Sequence, residues 1–209
     1  MSKVVVLGTA HLASTPGKCS PDKCFREYKY SREICVELQK RLRARGVECY
    51  IDYLDDDMPG KNSSQELIER VNLVNKAYCN KFGKDNVFYV SIHVNAAGGD
   101  GKWRNATGFA IYTSPGKTKS DDLATCIWNE AERILTPLGK KLRKDMSDGD
   151  PDYEENFYVL KKTSCPAVLT ENFFQDNKDD VEWLSSEEGK ETVVEYHLRG
   201  ILRYLNLLN

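Results

Sequence analysis

The segment from Val87 to Val94, VFYVSIHV, constrains the fold more than any other part of the chain. A continuous run of β-branched and aromatic residues of this length reads as a strand covered on both faces. Such strands belong in parallel sheets with helices on either side. A buried strand rarely carries a histidine and an asparagine at its exit, yet His93 and Asn95 stand there. Of the three histidines, His11 holds a matching place after the largely apolar run KVVVLG (3–8). Two imidazoles at the ends of two core strands point to one metal held at one edge of one sheet.

Strand-like runs recur along the 209 residues: 3–8, ECYIDYL (48–54), 87–94, GFAIYTS (108–114), NFYVLKK (156–162) and PAVLTENFF (166–174). Helical periodicity marks 26–45, 63–81, 120–136 and 187–206. Gly46 closes the first helix, Asn62 or Ser63 opens the second, and Ser120 with Asp121 and Asp122 opens the third. This alternation predicts a single α/β domain, with a mostly parallel central sheet of about six strands flanked by helices. The stretches 98–106 and 145–155 read as loops long enough to border a site.

Acidic and basic residues nearly cancel, 32 against 30, and no basic stripe carries interleaved aromatics, which speaks against nucleic acid as a partner. The opening MSKVVVLGTAHL is too short in apolar residues for a signal peptide or a membrane anchor and reads as a first strand. The expectation is a chain made in the cytoplasm, acting as a monomer. The seven cysteines include no CxxC and several fall on apolar faces, so neither a disulfide framework nor a cysteine-rich zinc site is expected. Cys19 and Cys24 form a pair that could oxidise.

The first helix gives the strongest physical signal. Ile34, Leu38 and Leu42 follow Glu27 at helical spacing, so all four share one face within about 80°. Arg26, Glu33, Glu37 and Lys40 fall on the other side. Glu27 therefore starts the helix on its buried stripe, where a carboxylate must be paired or bound to metal; favouring the helix dipole is the simpler alternative. In an open parallel sheet the strand ends and the starts of the following helices share one edge, where ligands bind. His11, Glu27 and His93 all map to that edge, and Glu171 lies in the strand PAVLTENFF among apolar neighbours. Two histidines and a glutamate make a known catalytic zinc set. Glu171 is then the unligated carboxylate that can move a proton. His197 rides on the last helix, away from any strand end, and reads as a packing or surface residue.

These residues carry a family resemblance over almost the whole chain. LGTAH, REYKYSREI, RVNLVN, SIHVNAA and CPAVLTENFF resemble, in order, motifs of the zinc-dependent N-acetylmuramoyl-L-alanine amidases of the amidase-3 type, in particular their phage-lysin-like branch. The resemblance implies one Zn2+ on His11, Glu27 and His93, with Glu171 as the catalytic glutamate. It also implies hydrolysis of the muramoyl–alanine amide of peptidoglycan, in the manner of an endolysin acting on the wall after release. Arg26, Asn95 and Arg143 are candidates for gripping the substrate. No separate wall-binding domain is expected. The family's usual Asp-x-Gly-His-Gly-Gly opening is here Gly8-Thr9-Ala10-His11-Leu12, and TPGKCSPDK resembles the phage-type substitute for that loop. Two other functions fit parts of the pattern: a zinc peptidase cutting the stem peptide, and an inactive wall-binding protein with a decayed site.

Overall fold

The computed structural model of the protein describes residues 3–56, 58 and 62–208. Six strands form one sheet: β1 (Val4–Thr9), β2 (Glu48–Ile51), β3 (Val87–Asn95), β4 (Phe109–Thr113), β5 (Tyr153–Glu154) and β6 (Ala167–Phe174), in the order β2-β1-β3-β6-β4-β5. The strands β2, β1, β3 and β6 are mutually parallel, and β4 runs antiparallel to β6. The mostly parallel α/β sheet expected from the sequence is therefore present.

Alternation along the strands feeds two cores. Val5 and Leu7 pack toward α1 (Glu27–Ala44), α4 (Lys119–Leu135) and α7 (Glu187–Tyr204), whereas Val4 and Val6 face α2 (Ser63–Leu73) and α5 (Tyr158–Lys162). Since successive side chains of a strand point to opposite faces, the unbroken apolar runs of β1 and β3 are what a sheet covered on both sides requires. Among the described residues, no helix is long and apolar enough to cross a membrane.

Several boundaries differ from the sequence expectation, each for a local reason. Residues 156–162 contain no strand: Phe157 and Tyr158 are exposed and only the adjacent pair Val159 and Leu160 is buried, which fits one turn of helix rather than alternation. The edge strand β5 lies instead inside the stretch 145–155, which the sequence presents as loop. The run 48–54 stops pairing at Ile51. The second helix opens on Asn62, whose side chain accepts from the Gln65 N–H, and widens into a π turn over Val74–Cys79 before α3 (Asn80–Phe82). The fourth helix opens on Thr118, not Ser120, with a reciprocal cap between Thr118 and Asp121. A short α6 (Lys178–Ser185), capped by Asn177, has too few turns to show a period in sequence.

The helices α4 and α7 meet at closest range. A Cβ on Gly200 would lie 2.5 Å from the Ile127 Cα, so only glycine allows this approach. Beside it the buried Glu130 accepts from Arg133 (2.9 Å) and Arg199 (2.8 Å) and from the Arg203 Nε (2.7 Å). Burial alone would raise the carboxyl's pKa, but the three guanidiniums outweigh it and hold it down at about 2.

Two stability predictions follow from this contact. Gly200→Ala should cost about 1–3 kcal/mol by overpacking, seen as a lower urea midpoint with an unchanged slope. Because the Glu130 carboxyl is depressed in the folded state, its stabilisation is full above the ordinary value of 4.5 and drains away as pH falls toward about 2. Glu130→Gln should therefore lower the midpoint at pH 7 and flatten its decline between pH 5 and pH 3. An equally steep decline in the variant would assign the acid sensitivity elsewhere.

Candidate active site

The register of two parallel strands sets the site. His93 of β3 pairs directly with Glu171 of β6, so their side chains emerge on the same face of neighbouring strands. Ala110 of β4 lies on the other side of Glu171 and leaves that face open. The strand β6 is fixed at its entry by Asn75 in the π turn, whose side chain donates to the Lys162 carbonyl (2.9 Å) and accepts from the Ser164 N–H (2.8 Å).

Glu27 arrives from the first turn of α1, as its helical phase predicts, and is 1% exposed. Its Oε1 lies 3.0 Å from His93 Nδ1 and accepts the Val94 N–H at 3.1 Å. Its Oε2 lies 3.7 Å from His11 Nε2 and has no hydrogen-bond partner. One turn further along α1, Ser31 accepts the Ala10 N–H (2.9 Å) and donates to the Ile92 carbonyl (2.6 Å), tying the exits of β1 and β3 to the helix. His11 sits just past β1 with φ 43°, a conformation non-glycine residues seldom adopt. Ligand atoms of His11, Glu27 and His93 all lie within 4.8 Å of one another, and this is the one such group of three among the described residues.

The electrostatics suit a cation. Burial holds the His11 pKa down at about 3, so the imidazole is neutral and able to donate a lone pair. Burial opposes the charge of Glu27, but its hydrogen bond to His93 and its electrostatic interactions with the two imidazoles and Lys18 keep its carboxyl below the usual value. Glu171 behaves in the opposite way. Burial, and then the negative charge of Glu27, push its pKa well above the ordinary carboxylate range, and its Oε2 is enclosed without a partner. Two adjacent carboxylates thus differ in character: one stays charged against the histidines, and the other holds a proton readily.

The structure places the remaining sequence candidates as follows. Asn95 ends β3, where its Oδ1 accepts the Ala96 N–H (2.8 Å) and its carbonyl accepts the Gln175 N–H (2.8 Å). Arg143 stacks its guanidinium over Phe174 at 5.2 Å. Arg26 precedes Glu27 but lines a cleft with Lys29, Glu33 and Lys190. His197 is a packing residue, fully buried: its Nδ1–H donates to the Val193 carbonyl (2.7 Å) and its Nε2 accepts from Thr170 (2.9 Å). Cys19 and Cys24 are free, as are the other five cysteines. Sequence reasoning missed Gln175, which with Gly17, Lys23, Ala96 and Lys102 lines a cavity of about 220 Å³ between the loops leading into α1 and out of β3. It also missed the buried Glu66, whose only signal was its spacing of four from Arg70 within one helix.

The N-acetylmuramoyl-L-alanine amidase family model of the amidase-3 type matches residues 5–203. The chain belongs to this family. It is 33% identical over 208 residues to the endolysin of Bacillus phage SPP1, covering 99% of this chain and 68% of that protein. It is 31% identical over 176 residues to the N-acetylmuramoyl-L-alanine amidase CwlM of Bacillus licheniformis, covering 84% of this chain and 61% of the relative. The fold is also that of the CwlD amidase of Clostridioides difficile, solved with the GerS lipoprotein (TM-score 0.78, 22% identity, 99% and 100% of the two chains). The catalytic domain of CwlV from Bacillus (Paenibacillus) polymyxa superposes similarly (TM-score 0.74, 23% identity, 98% and 99%).

The paired imidazoles and Glu27 should bind one divalent ion. His93→Ala should lose it, and elemental analysis of the purified variant beside the parent checks this. Stoichiometric zinc in the variant would dismiss His93 as a ligand.

Proposed function

We propose that this chain is a zinc-dependent N-acetylmuramoyl-L-alanine amidase of the endolysin type. It hydrolyses the amide joining the lactyl group of N-acetylmuramic acid to L-alanine in peptidoglycan. The observation that carries the reading is the partnerless Oε2 of Glu27 between two imidazoles, with the proton-holding Glu171 on the next strand. Such an orphaned, buried carboxylate oxygen fits a metal among its neighbours, and the two-nitrogen, one-carboxylate donor set is one that zinc uses in hydrolases. His11, Glu27 and His93 would hold it.

When bound, zinc supplies a Lewis acid that polarises the amide carbonyl and makes water acidic enough to attack near neutral pH. The chain's own residues do the rest. Glu171 takes a proton from the attacking water as the new C–O bond forms. It then delivers that proton to the alanine nitrogen as the C–N bond breaks, so that a neutral amine leaves. Its enclosure and the nearby charge of Glu27 raise its proton affinity, which suits this second role. The cavity lined by Gln175 and Lys23 adjoins the site through the 17–23 loop, whose Lys18 carbonyl accepts the Glu27 N–H (3.2 Å). It offers the stem peptide a place beside the scissile bond.

The similarity to a phage endolysin over nearly all of this chain supports a lytic role, with access to the wall gained on release from the cell. In this reading the α/β domain acts on the wall as a monomeric catalytic unit.

Digestion of purified peptidoglycan followed by mass spectrometry should release intact stem peptides with a new alanine amino terminus and no sugar. Cuts within the peptides would instead make the chain a peptidase. Glu171→Gln should reduce hydrolysis by about 10²–10⁴-fold while zinc content stays at that of the parent. Activity retained in that variant would remove Glu171 as the proton carrier.

A further inference from the structure

We propose that a buried chain of polar side chains, running from His93 through Ser91, Tyr89, Asp52, Arg70 and Glu66 to His11, positions both histidines for the metal. The inference rests on the metal-site reading above. Each imidazole turns one nitrogen toward Glu27 and the other toward a fixed protein oxygen. For His93 the second nitrogen is Nε2, 3.1 Å from Ser91 Oγ; for His11 it is Nδ1, 3.8 Å from Glu66 Oε1. A metal-binding imidazole must present a bare nitrogen to the ion and carry its proton on the other, where an acceptor fixes both tautomer and ring angle. The two histidines thus use opposite nitrogens: His93 has its acceptor within hydrogen-bond distance in Ser91, and His11 faces the Glu66 carboxylate at ion-pair range.

The two acceptors belong to one connected structure. Tyr89 stands two residues before Ser91 on the same face of β3 and donates to Asp52 Oδ2 at 3.0 Å. Asp52 Oδ2 receives Arg70 at 2.5 Å, and the Arg70 Nε donates to Glu66 Oε1 at 3.2 Å. Arg70 also reaches Thr9 Oγ1 (3.1 Å) and the His11 carbonyl (3.5 Å), so it grips the loop on which His11 holds its unusual φ. Thr15, beyond His11, donates to the other oxygen of Glu66 at 3.2 Å. Ser91, Tyr89, Arg70 and Glu66 are at most 2% exposed and Asp52 is 9% exposed.

Burying so many polar groups is costly unless the arrangement serves a purpose beyond stability. Two carboxylates face one guanidinium, leaving an excess negative charge that a cation at His11 and His93 would offset. Space is also reserved for the chain: a Cβ on Gly8 would stand 2.1 Å from the Tyr89 hydroxyl, so β1 carries glycine where that hydroxyl passes beneath it.

Zinc affinity, measured by competition with a chromogenic chelator, and the visible spectrum of the Co2+-substituted protein test the proposal without any activity assay. Glu66→Gln and Ser91→Ala should each weaken zinc binding by about 10–100-fold and shift the Co2+ bands. Tyr89→Phe touches neither histidine and keeps the ring volume, yet it cuts the chain in the middle. It should weaken zinc binding as well, with circular dichroism confirming that it folds. If the variants fold and lose only thermal stability, with affinity and spectrum those of the parent, the residues are structural and the proposal is overturned. A parent protein that binds no zinc would overturn the metal site itself, a separate result. Zinc binding that depends on Glu66 would stand even if peptidoglycan proved not to be the substrate.

Discussion

A carboxylate taken out of water at the first turn of a helix is the constraint around which this domain is arranged. Glu27 cannot be buried as an ion unless hydrogen-bond donors or positive charge meet it, and the fold supplies them from separate parts of the chain. The Val94 N–H comes from the exit of β3, and the imidazoles come from the ends of β1 and β3. Ser31 then fastens those strand exits to the same helix. Binding site and helix–sheet junction are therefore one structure. Residues that hold α1 on the sheet also hold the ligand atoms at their separation, which is why the site forms at this edge.

The contrast between Glu27 and Glu171 shows how little is needed to separate two chemical roles. Both carboxylates are enclosed and both have an orphaned oxygen. Glu27 faces imidazoles and a backbone donor, which stabilise its charge. Glu171 faces Glu27 and an alanine across the strand pair, and the charge of Lys18 offsets its burial and the Glu27 charge only in part. Strand register does the sorting: shifting β6 by one residue would turn Glu171 to the opposite core. The Asn75 clamp on the residues entering β6 gives that register an anchor outside the sheet.

The sequence made much of this legible because the site residues stand where patterns change. His93 interrupts an apolar run, Glu27 falls in phase with Ile34, Leu38 and Leu42, and Glu171 lies among strand residues with no surface to reach. What escaped notice was either short or dependent on distant partners. β5 pairs through two residues only, and α5 and α6 have too few turns to display a period. Glu66, Arg70 and Asp52 look like ordinary charges of a solvated helix face and loop. Only the packing of α2 against the ends of β1 and β2 reveals that they are enclosed. Periodicity reports which residues are apolar. It does not report which charges have found one another.

One topological detail bears on how such a domain can diversify. Because β4 runs antiparallel to β6, it enters the sheet at the edge where β3 leaves it. The whole excursion 96–108 therefore departs from and returns to the functional rim without crossing a face of the sheet. Gly98, Gly99, Gly101 and Lys102 line the cavity beside the site, while the attachment points of the excursion lie outside the His11–Glu27–His93 trio. Loops of this kind accept insertions and exchanges more readily than the elements they connect. The antiparallel strand thus gives the fold a replaceable lip, one that can change while the parallel strands beneath keep the site residues in place.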